Sequence, residues 1–117
     1  MMSEENCIFC KVAAGEIPVA KVFEDEHCVA FNDIEPQSPT HILIIPREHF
    51  ASLDKATESH KQILGHLLLT AANIAQSKGF SNDGYRVVIN TNGDGGQTVF
   101  HLHVHLLAGR QFVFPPG

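Results

Sequence analysis

The chain has 117 residues, a length that suits one domain, here taken as residues 1–117, with its own hydrophobic core. Its formal net charge of −5 argues against a nucleic-acid polymer or an anionic membrane as partner, because both require a basic surface. No apolar run approaches the roughly 20 residues of a membrane-spanning helix, and the acidic residues 1–5 lack the features of a signal peptide, so we expect a cytoplasmic protein.

The first half of the chain predicts a short helix followed by three strands. In order, these are a helix over residues 7–15 and strands over residues 21–23, 28–31 and 41–45. Gly15 is expected to stop the helix, and a polar turn at residues 24–26 separates the first two strands. Two prolines make residues 34–40 a loop, and Pro46 ends the third strand.

The second half predicts one long helix and two further strands. Apolar residues recur at three- and four-residue spacing from Ile63 to Ala75, which gives an amphipathic helix with one apolar stripe. Thr57 is the expected N-cap and Gly79 the expected C-terminal stop. The remaining segments are a strand over residues 85–90, a glycine-rich loop over residues 92–96, and a strand over residues 101–108.

The order of these elements predicts the fold class. The strands follow one another instead of alternating with helices, which favours an α+β fold. We expect a five-stranded, mostly antiparallel sheet with one long helix on one face and a short N-terminal helix. The other face is then open to a ligand or a partner subunit. Cys28 is expected in the core, and the surface histidines are expected to be His27, His60 and His66.

Three histidines alternate with apolar residues in the last predicted strand. Because successive side chains of a strand point to opposite faces, His101, His103 and His105 share one face, about 7 Å apart. The intervening apolar residues then face the core. Burying three imidazoles without partners is costly, so a merely polar strand face explains them poorly. Two interpretations stay open here: zinc chelation from one strand, or a nucleophilic histidine whose neighbours set its tautomer and stabilise charge.

The glycine-rich segment before the histidines favours phosphate as the ligand. Glycines in residues 92–98 allow backbone N–H groups to converge on an anion without interference from side chains. Thr98 adds a hydroxyl donor and Asn90 an amide. A plain hairpin turn would also favour glycine, but a turn beside three histidines is better explained by a phosphate site.

Several segments resemble the histidine-triad (HIT) superfamily. Residues 96–107 contain His-x-His-x-His flanked by apolar residues, which is similar to the signature of that superfamily. Residues 31–34 followed by residues 39–46 resemble its upstream half. The ending, residues 109–111 and 115–117, resembles the HINT branch in particular. The resemblance covers nearly the whole chain.

This resemblance implies an activity and a set of catalytic roles. It implies a homodimer whose sheet continues across the subunits, and hydrolysis of purine nucleoside 5'-phosphoramidates, such as AMP joined to an amine, without an organic cofactor. His103 would attack the α-phosphorus and form a nucleotidyl-histidine intermediate. His105 would donate to a phosphate oxygen, and His41 would support His103 from behind. The rival interpretations are a dinucleoside polyphosphate hydrolase and a zinc-stabilised nucleotide-binding or adaptor protein with little turnover.

The resemblance also implies the substrate contacts. The backbone around Gln97 and Thr98 would hold the phosphate. Asp33 would bind the ribose hydroxyls, and Asn90 would touch the ribose or the phosphate. The residues that would line the base pocket are Phe9, Phe31 and Ile34.

A Cys-x-x-Cys pair near the start of the chain suggests a metal. Cys7 and Cys10 have this spacing, and three cysteines in all suit reduced thiols or a metal better than a disulfide framework. A redox pair is the usual rival, but no thioredoxin-like βαβ pattern follows. Some bacterial HIT proteins with a similar opening complete a structural zinc site with two histidines, which here are His49 and His101. The alternative is that both cysteines are free thiols packed by the helix.

Overall fold

The computed structural model describes residues 4 and 6–117. Its helices and strands are, in chain order, α1 (Ile8–Ala13), β1 (Lys21–Glu24), β2 (Cys28–Asn32), β3 (Thr40–Pro46), α2 (Lys61–Ser77), β4 (Arg86–Val88) and β5 (Val104–Ala108). Two short 3-10 turns, Leu53–Lys55 and Glu58–His60, lead into α2. The predicted α+β class is confirmed, with five strands, one long helix and one short helix. Within the described part of the chain, no helix is both long enough and apolar enough to cross a membrane.

The five strands form one antiparallel sheet in the order β1-β2-β3-β5-β4. The central strand β3 pairs with β5 so that Leu43 lies opposite His105 and Thr40 opposite Ala108. Helix α2 covers one face of the sheet, where the buried side chains include Ile42, Ile44, Leu67, Leu102, Val104 and Leu106. On the other face, α1 contributes to a second apolar cluster of Phe9, Val12, Val29, Phe31, Leu43 and Ile45. The face expected to be open is therefore partly covered by α1.

Helix α2 has the predicted apolar stripe and ends as predicted. Its buried residues include Leu67, Ala71 and Ala75, although Leu68, an apolar residue of the same stretch that was expected in the stripe, is 46% exposed. The cap lies one turn earlier than an α-helical cap, because Thr57 starts the 3-10 turn that leads into the helix. Gly79 follows the last turn with a φ of +88°, a left-handed conformation that favours glycine.

The last two strands are shorter than predicted. β4 covers Arg86–Val88 instead of residues 85–90, and β5 begins only at Val104, so His101 and His103 precede the strand ladder. Continuing the β3–β5 register would place Leu102 opposite Pro46, which has no N–H to donate. The Leu102 N–H donates instead to the Phe50 carbonyl, 2.8 Å away. The alternation of side chains still holds, since the residues between the histidines belong to the core under α2.

Of the four expectations for isolated residues, two hold, one is wrong and one holds only in part. Cys28 is fully buried, and burial raises the pKa of its thiol to about 12. His27 is exposed as expected. His60 is only 9% exposed, because the 3-10 turn folds its ring onto Phe50, with ring centroids 4.1 Å apart. The third expected surface histidine, His66, is half-buried and bonds to the β1–β2 turn.

Asp25 joins that turn to helix α2. Its Oδ1 accepts from the backbone N–H groups of His27 and Cys28, both at 2.8 Å, and its Oδ2 lies 2.7 Å from His66 Nε2. Burial opposes ionisation of the carboxyl, but these donors outweigh it and lower the pKa of Asp25 from 3.8 to about 2. Because the pKa is depressed in the folded protein, the stabilising effect is complete above about pH 4 and is lost as the pH falls toward 2.

Replacing Asp25 with asparagine should therefore change the acid limb of the stability curve. We expect Asp25→Asn to lower the midpoint of thermal unfolding at pH 7, because the neutral amide is a weaker acceptor for three donors. The midpoint of thermal unfolding should then fall less steeply between pH 4 and pH 2 in Asp25→Asn than in the wild type. Thermal melts followed by circular dichroism measure both effects, with the exposed Asp83→Asn as matched control. An unchanged decline below pH 4 would contradict the assignment.

Candidate active site and metal cluster

His103 has the tautomer that a nucleophilic imidazole requires. Its Nδ1 lies 2.8 Å from the carbonyl oxygen of His101 and must donate to it, so a neutral ring carries its lone pair on Nε2. Burial lowers the pKa of His103, which favours the neutral form at neutral pH. The ring packs edge-on against Phe9, with centroids 5.1 Å apart. One ring nitrogen is thus fixed by the backbone and the other is available for bond formation.

A chain of hydrogen bonds sets the tautomers of His41 and His105. The backbone N–H of Gln37 donates to His41 Nδ1 at 3.0 Å, so the proton of a neutral His41 is on Nε2. That Nε2 lies 2.9 Å from His105 Nδ1, to which it donates, and 3.4 Å from Asp33 Oδ2. The proton of His105 is therefore on its Nε2. The hydrogen bonds therefore all point in one direction, from the Gln37 N–H through His41 to His105, and they leave the last proton on His105 Nε2.

The far nitrogen of His105 is a donor that lacks an acceptor. His105 Nε2 is buried, and nothing among residues 4 and 6–117 accepts its hydrogen bond. Burial lowers the pKa of His105 to about 4, with a further contribution from His103, so the ring is neutral at neutral pH. The two rings lie 5.1 Å apart. A lone pair on His103 and an unsatisfied N–H on His105 are thus side by side, which suits an electrophile that carries an anionic oxygen.

These groups open into a cavity of about 960 Å³, which is in the size range of small-molecule sites. One part of the lining is apolar and comes largely from α1 and from the segment before β1. The other part holds the histidines, Gly96 and the carboxylates of Asp33 and Glu35. The predicted site residues that line the cavity are Phe9, Phe31, Asp33, Ile34, His41, Thr98, His103 and His105. Ile34 is 93% exposed and marks the rim.

Two predicted substrate contacts are not in the lining. Asn90 is half-buried and lies outside the set of residues that line the cavity. The Gln97 side chain is buried and holds the glycine-rich loop together: its Oε1 accepts from the N–H of Asn92 at 2.8 Å, and its Nε2 donates to the carbonyls of Ala51 and Val99. Gln97 therefore shapes the loop through its side chain instead of facing the cavity.

The loop itself is tightly folded. Gly96 has a φ of +83°, and a Cβ at Gly95 would lie 2.3 Å from the Thr91 carbonyl oxygen, so both positions require glycine. The N–H groups of Gly96 and Gln97 bond within the loop. Of the two predicted donors, Thr98 lines the cavity and Asn90 does not.

Four side chains of the predicted metal set converge. Their ligand atoms all lie within 4.8 Å of one another in the group Cys7, Cys10, His49 and His101. His101 Nδ1 is 3.3 Å from Cys7 Sγ and 3.2 Å from His49 Nδ1, and Cys10 Sγ is 3.3 Å from His49 Nδ1. A tetrahedral zinc ion bound at about 2.0–2.3 Å requires its ligands to lie about 3.3–3.8 Å apart, so the spacing fits.

The outer partners of this cluster leave lone pairs facing its centre. His101 Nε2 donates to the Pro46 carbonyl at 2.8 Å, and His49 Nε2 faces a carboxylate oxygen of Glu4 at 3.4 Å. Both Nδ1 atoms then present lone pairs to each other and to two thiols. Such an arrangement suits a cation at its centre, and oriented imidazoles of this kind are typical of zinc ligands. His101 is fully buried, and its carbonyl also accepts from His103, so it connects the cluster to the candidate nucleophile.

Comparison with known proteins identifies the family. The family model described as HIT domain matches residues 14–112. This chain belongs to the HIT family. The match spans the apolar face of the cavity from the segment before β1 onward, all three triad histidines and the start of the C-terminal tail.

Relatives of this HIT protein are similar over nearly their whole length. It is 53% identical over 113 residues to an uncharacterised HIT-like protein of Synechococcus elongatus, covering 97% of this chain and 98% of the relative. It is 51% identical over 118 residues to the 14 kDa zinc-binding protein of Zea mays, covering 99% and 91%. Among solved structures, a HIT family hydrolase from Legionella pneumophila superimposes with a TM-score of 0.94 at 51% identity, covering 96% of this chain and 100% of that one.

The HIT fold brings together residues that the sequence analysis missed. The Gln37 backbone N–H, which sets the His41 tautomer, has no signal in the sequence, because every residue except proline carries the same donor. The apolar lining from α1 and the following segment includes Ile8, Val12, Ile17 and Val19. The spacing of Ile8 and Val12, four residues apart in a predicted helix, was the available signal for that face.

Proposed function

We propose that this HIT protein is a hydrolase of purine nucleoside 5'-phosphoramidates that acts through a nucleotidyl-histidine intermediate on His103. One observation carries the proposal: the lone pair of a neutral His103 Nε2 stands beside the unsatisfied N–H of His105. An imidazole is both a good nucleophile and a good leaving group, which suits a reaction in two displacements at phosphorus. The Legionella relative, itself named a hydrolase, supports the reaction class.

The chemistry proceeds in two steps. In the first, His103 Nε2 attacks the α-phosphorus, the phosphorus–nitrogen bond to the substrate amine breaks, and the departing amine takes up a proton. The N–H of His105 donates to a non-bridging phosphate oxygen and stabilises its charge. In the second, water attacks the same phosphorus, the bond to His103 breaks, and the nucleoside monophosphate leaves. His41 keeps His105 in the donating tautomer throughout.

The cavity lining supports the orientation of the substrate. The purine fits against the apolar part of the lining, where Phe9 and Phe31 pack edge to face with centroids 5.8 Å apart and form a continuous apolar wall. Asp33, at the polar part of the cavity, is placed to accept from ribose hydroxyls. Thr98 supplies a hydroxyl near the phosphate. The base, ribose and phosphate then lie in sequence between the rim and the histidines.

The same proposal includes a structural zinc ion held by Cys7, Cys10, His49 and His101, and no organic cofactor. A bound zinc would act as a cross-link between the N-terminal segment and the segment that carries His103. The converging lone pairs of the cluster and the zinc-binding relative from Zea mays support it.

We further propose that the protein is a cytoplasmic homodimer, with residues 1–117 as one HIT domain. Strand β4 lies at an edge of the sheet, where its free backbone groups are available to a second copy. Leu69 on α2 is 66% exposed, which also favours a covered surface. Three free cysteines suit a reducing compartment. The net charge of −5 is consistent with a nucleotide ligand and with no role in binding a nucleic-acid polymer or a membrane.

A direct comparison of substrates tests the proposed reaction. We expect an adenosine 5'-phosphoramidate to be turned over with a larger kcat/KM than a diadenosine polyphosphate, and acid quenching to trap a nucleotidyl adduct on His103, located by mass spectrometry. Faster turnover of the polyphosphate would reassign the protein to the rival hydrolase. Binding of AMP without turnover of either compound would favour the nucleotide-binding or adaptor alternative.

A further inference from the structure

The turn after β5 packs against the loop that precedes β3. Ala108 pairs with Thr40, and the next residue, Gly109, turns the chain with a φ of +98°. A Cβ at Gly109 would lie 2.8 Å from Pro39 Cβ, so only glycine permits this approach. The start of the C-terminal tail is therefore held against residues 37–39.

Arg110 extends this contact to the backbone of Gln37. One terminal nitrogen of its guanidinium donates to the Gln37 carbonyl at 3.3 Å, and the other donates to the Gln111 carbonyl at 3.2 Å. The same guanidinium lies over the Phe112 ring, 4.3 Å from its centroid. Three contacts thus restrain the exposed guanidinium beside the carbonyl of Gln37, the residue whose N–H contacts His41.

Gln37 is the residue whose N–H decides the tautomer of His41. If that N–H moves away, the proton of His41 is free to shift to Nδ1, and Nε2 then presents a lone pair to His105. His105 would have to donate through Nδ1 to keep the 2.9 Å bond, which leaves a lone pair on its Nε2. The group beside His103 would change from a donor into an acceptor, which repels a phosphate oxygen.

We propose that Arg110, together with Gly109, is a positioning residue that holds the Gln37 N–H on His41 and so keeps His105 in its donating tautomer. The catalytic consequence rests on the proposed phosphoramidate hydrolysis. The effect on the tautomer does not, because it belongs to the protein without substrate. The contact acts within one chain, through the adjacent strands β3 and β5.

The experiment compares Arg110→Ala with Arg86→Ala. Arg86 is the matched control because it also lies over the Phe112 ring, at 5.2 Å, and bonds to the Val113 carbonyl, but it is on β4 and does not hold Gln37. The ¹⁵N chemical shifts of the His41 ring report its tautomer directly, without substrate. We expect Arg110→Ala to move the Nδ1 and Nε2 shifts of His41 toward each other, and Arg86→Ala to leave them as in the wild type.

Kinetics on the same variants give the second readout. We expect Arg110→Ala to lower kcat by about tenfold with KM nearly unchanged, since a misplaced donor weakens transition-state stabilisation more than binding. Arg110→Lys should recover part of the loss, because it keeps a single donor. Unchanged His41 shifts in Arg110→Ala would overturn the proposal, as would equal effects of Arg86→Ala. Altered shifts in Arg110→Ala with a wild type that hydrolyses no phosphoramidate would leave the positioning role standing and reject the proposed function.

Discussion

Replacing His103 by alanine should lower kcat for phosphoramidate hydrolysis by at least about 10⁴-fold, because no intermediate can form without the attacking Nε2. Nucleotide binding should survive the change. The apolar lining, Asp33 and the His105 donor are left in place, and loss of one imidazole removes only a wall of the cavity. The variant therefore separates an enzyme from a protein that merely binds nucleotides.

Two measurements on the variant and one control decide the outcome. Turnover of an adenosine 5'-phosphoramidate gives the rate, and calorimetric titration with AMP gives the affinity. His27→Ala is the matched control, because His27 is an exposed histidine in the β1–β2 turn, outside the cavity lining. Turnover by His103→Ala at the wild-type rate would reject His103 as the nucleophile. Loss of AMP binding together with turnover would instead indicate a damaged cavity.

His105→Asn probes the other half of the pair and should behave differently. An asparagine amide offers an N–H donor but cannot be held by His41 through a ring nitrogen, so part of the oxyanion stabilisation should remain. We expect a fall in kcat of about 10²-fold, which is smaller than for His103→Ala. Equal losses in the two variants would argue against a donor role for His105 and for a shared structural effect.

The alternation of residues 101–106 was enough to place the histidines correctly. The apolar residues between them lie in the core under α2, and the three imidazoles lie on the opposite side. Side-chain alternation persists here although only residues from Val104 onward belong to the strand ladder. The predicted start of β5 at residue 101 was wrong because ladder pairing depends on the partner strand. Pro46, which cannot donate, lies opposite the point where β5 was expected to continue.

The chemical roles of the histidines depend on backbone N–H and carbonyl groups, which nearly every residue type carries and which the sequence therefore does not distinguish. Whether His103 offers a lone pair follows from the carbonyl of His101, and whether His105 offers a proton follows from the N–H of Gln37. Residue identity says nothing about either group, since all residues carry the carbonyl and all but proline the N–H. The resemblance to the HIT family supplied the proposed roles of His103 and His105, whereas His41, which it implied would support His103, bonds to His105 in the fold.

For Gln97 and His60, the sequence likewise did not predict what the side chain contacts. The backbone around Gln97 was expected to hold the phosphate, and nothing in the sequence indicated that the Gln97 side-chain amide binds Asn92 in the glycine-rich loop and Ala51, which is far away in sequence. His60 was expected at the surface, yet a 3-10 turn brings its ring onto Phe50. The position of Gln97 depends on a tertiary contact across tens of residues. The position of His60 depends on a 3-10 turn, which a helical pattern in the sequence does not distinguish from an α-helical one.

The Cys7–Cys10–His49–His101 cluster leads to the second large prediction, which concerns stability. Protein purified without chelator is expected to contain about one zinc per chain, and Cys10→Ser is expected to lose it. Because the cluster joins the segment before α1 to the residue two before His103, its loss should lower the free energy of unfolding by about 3 kcal/mol or more. Atomic emission of the purified protein and thermal melts with and without a strong chelator measure the two effects.

The control for this prediction is another cysteine of the same chain. Cys28 is fully buried in the core cluster under α2 and lies outside the cluster formed by Cys7 and Cys10. Cys28→Ala should therefore lose some stability through packing but keep its zinc and its sensitivity to chelator, whereas Cys10→Ser should lose both. Metal-free wild-type protein whose melting midpoint is unaffected by chelator would reject the zinc site and leave Cys7 and Cys10 as free thiols.

The same variants test whether the cluster matters for chemistry. The ring of His101 is held by Pro46 on one side and by the cluster on the other, and its carbonyl fixes His103 Nδ1. Loosening the cluster should therefore reduce kcat well before it unfolds the protein, since a displaced carbonyl frees His103 to rotate or to change tautomer. If Cys10→Ser kept full kcat while it melted earlier, the cluster would stabilise the fold without aligning the nucleophile. In that case His101 would belong to the triad by sequence alone, and the catalytic pair would be His103 and His105.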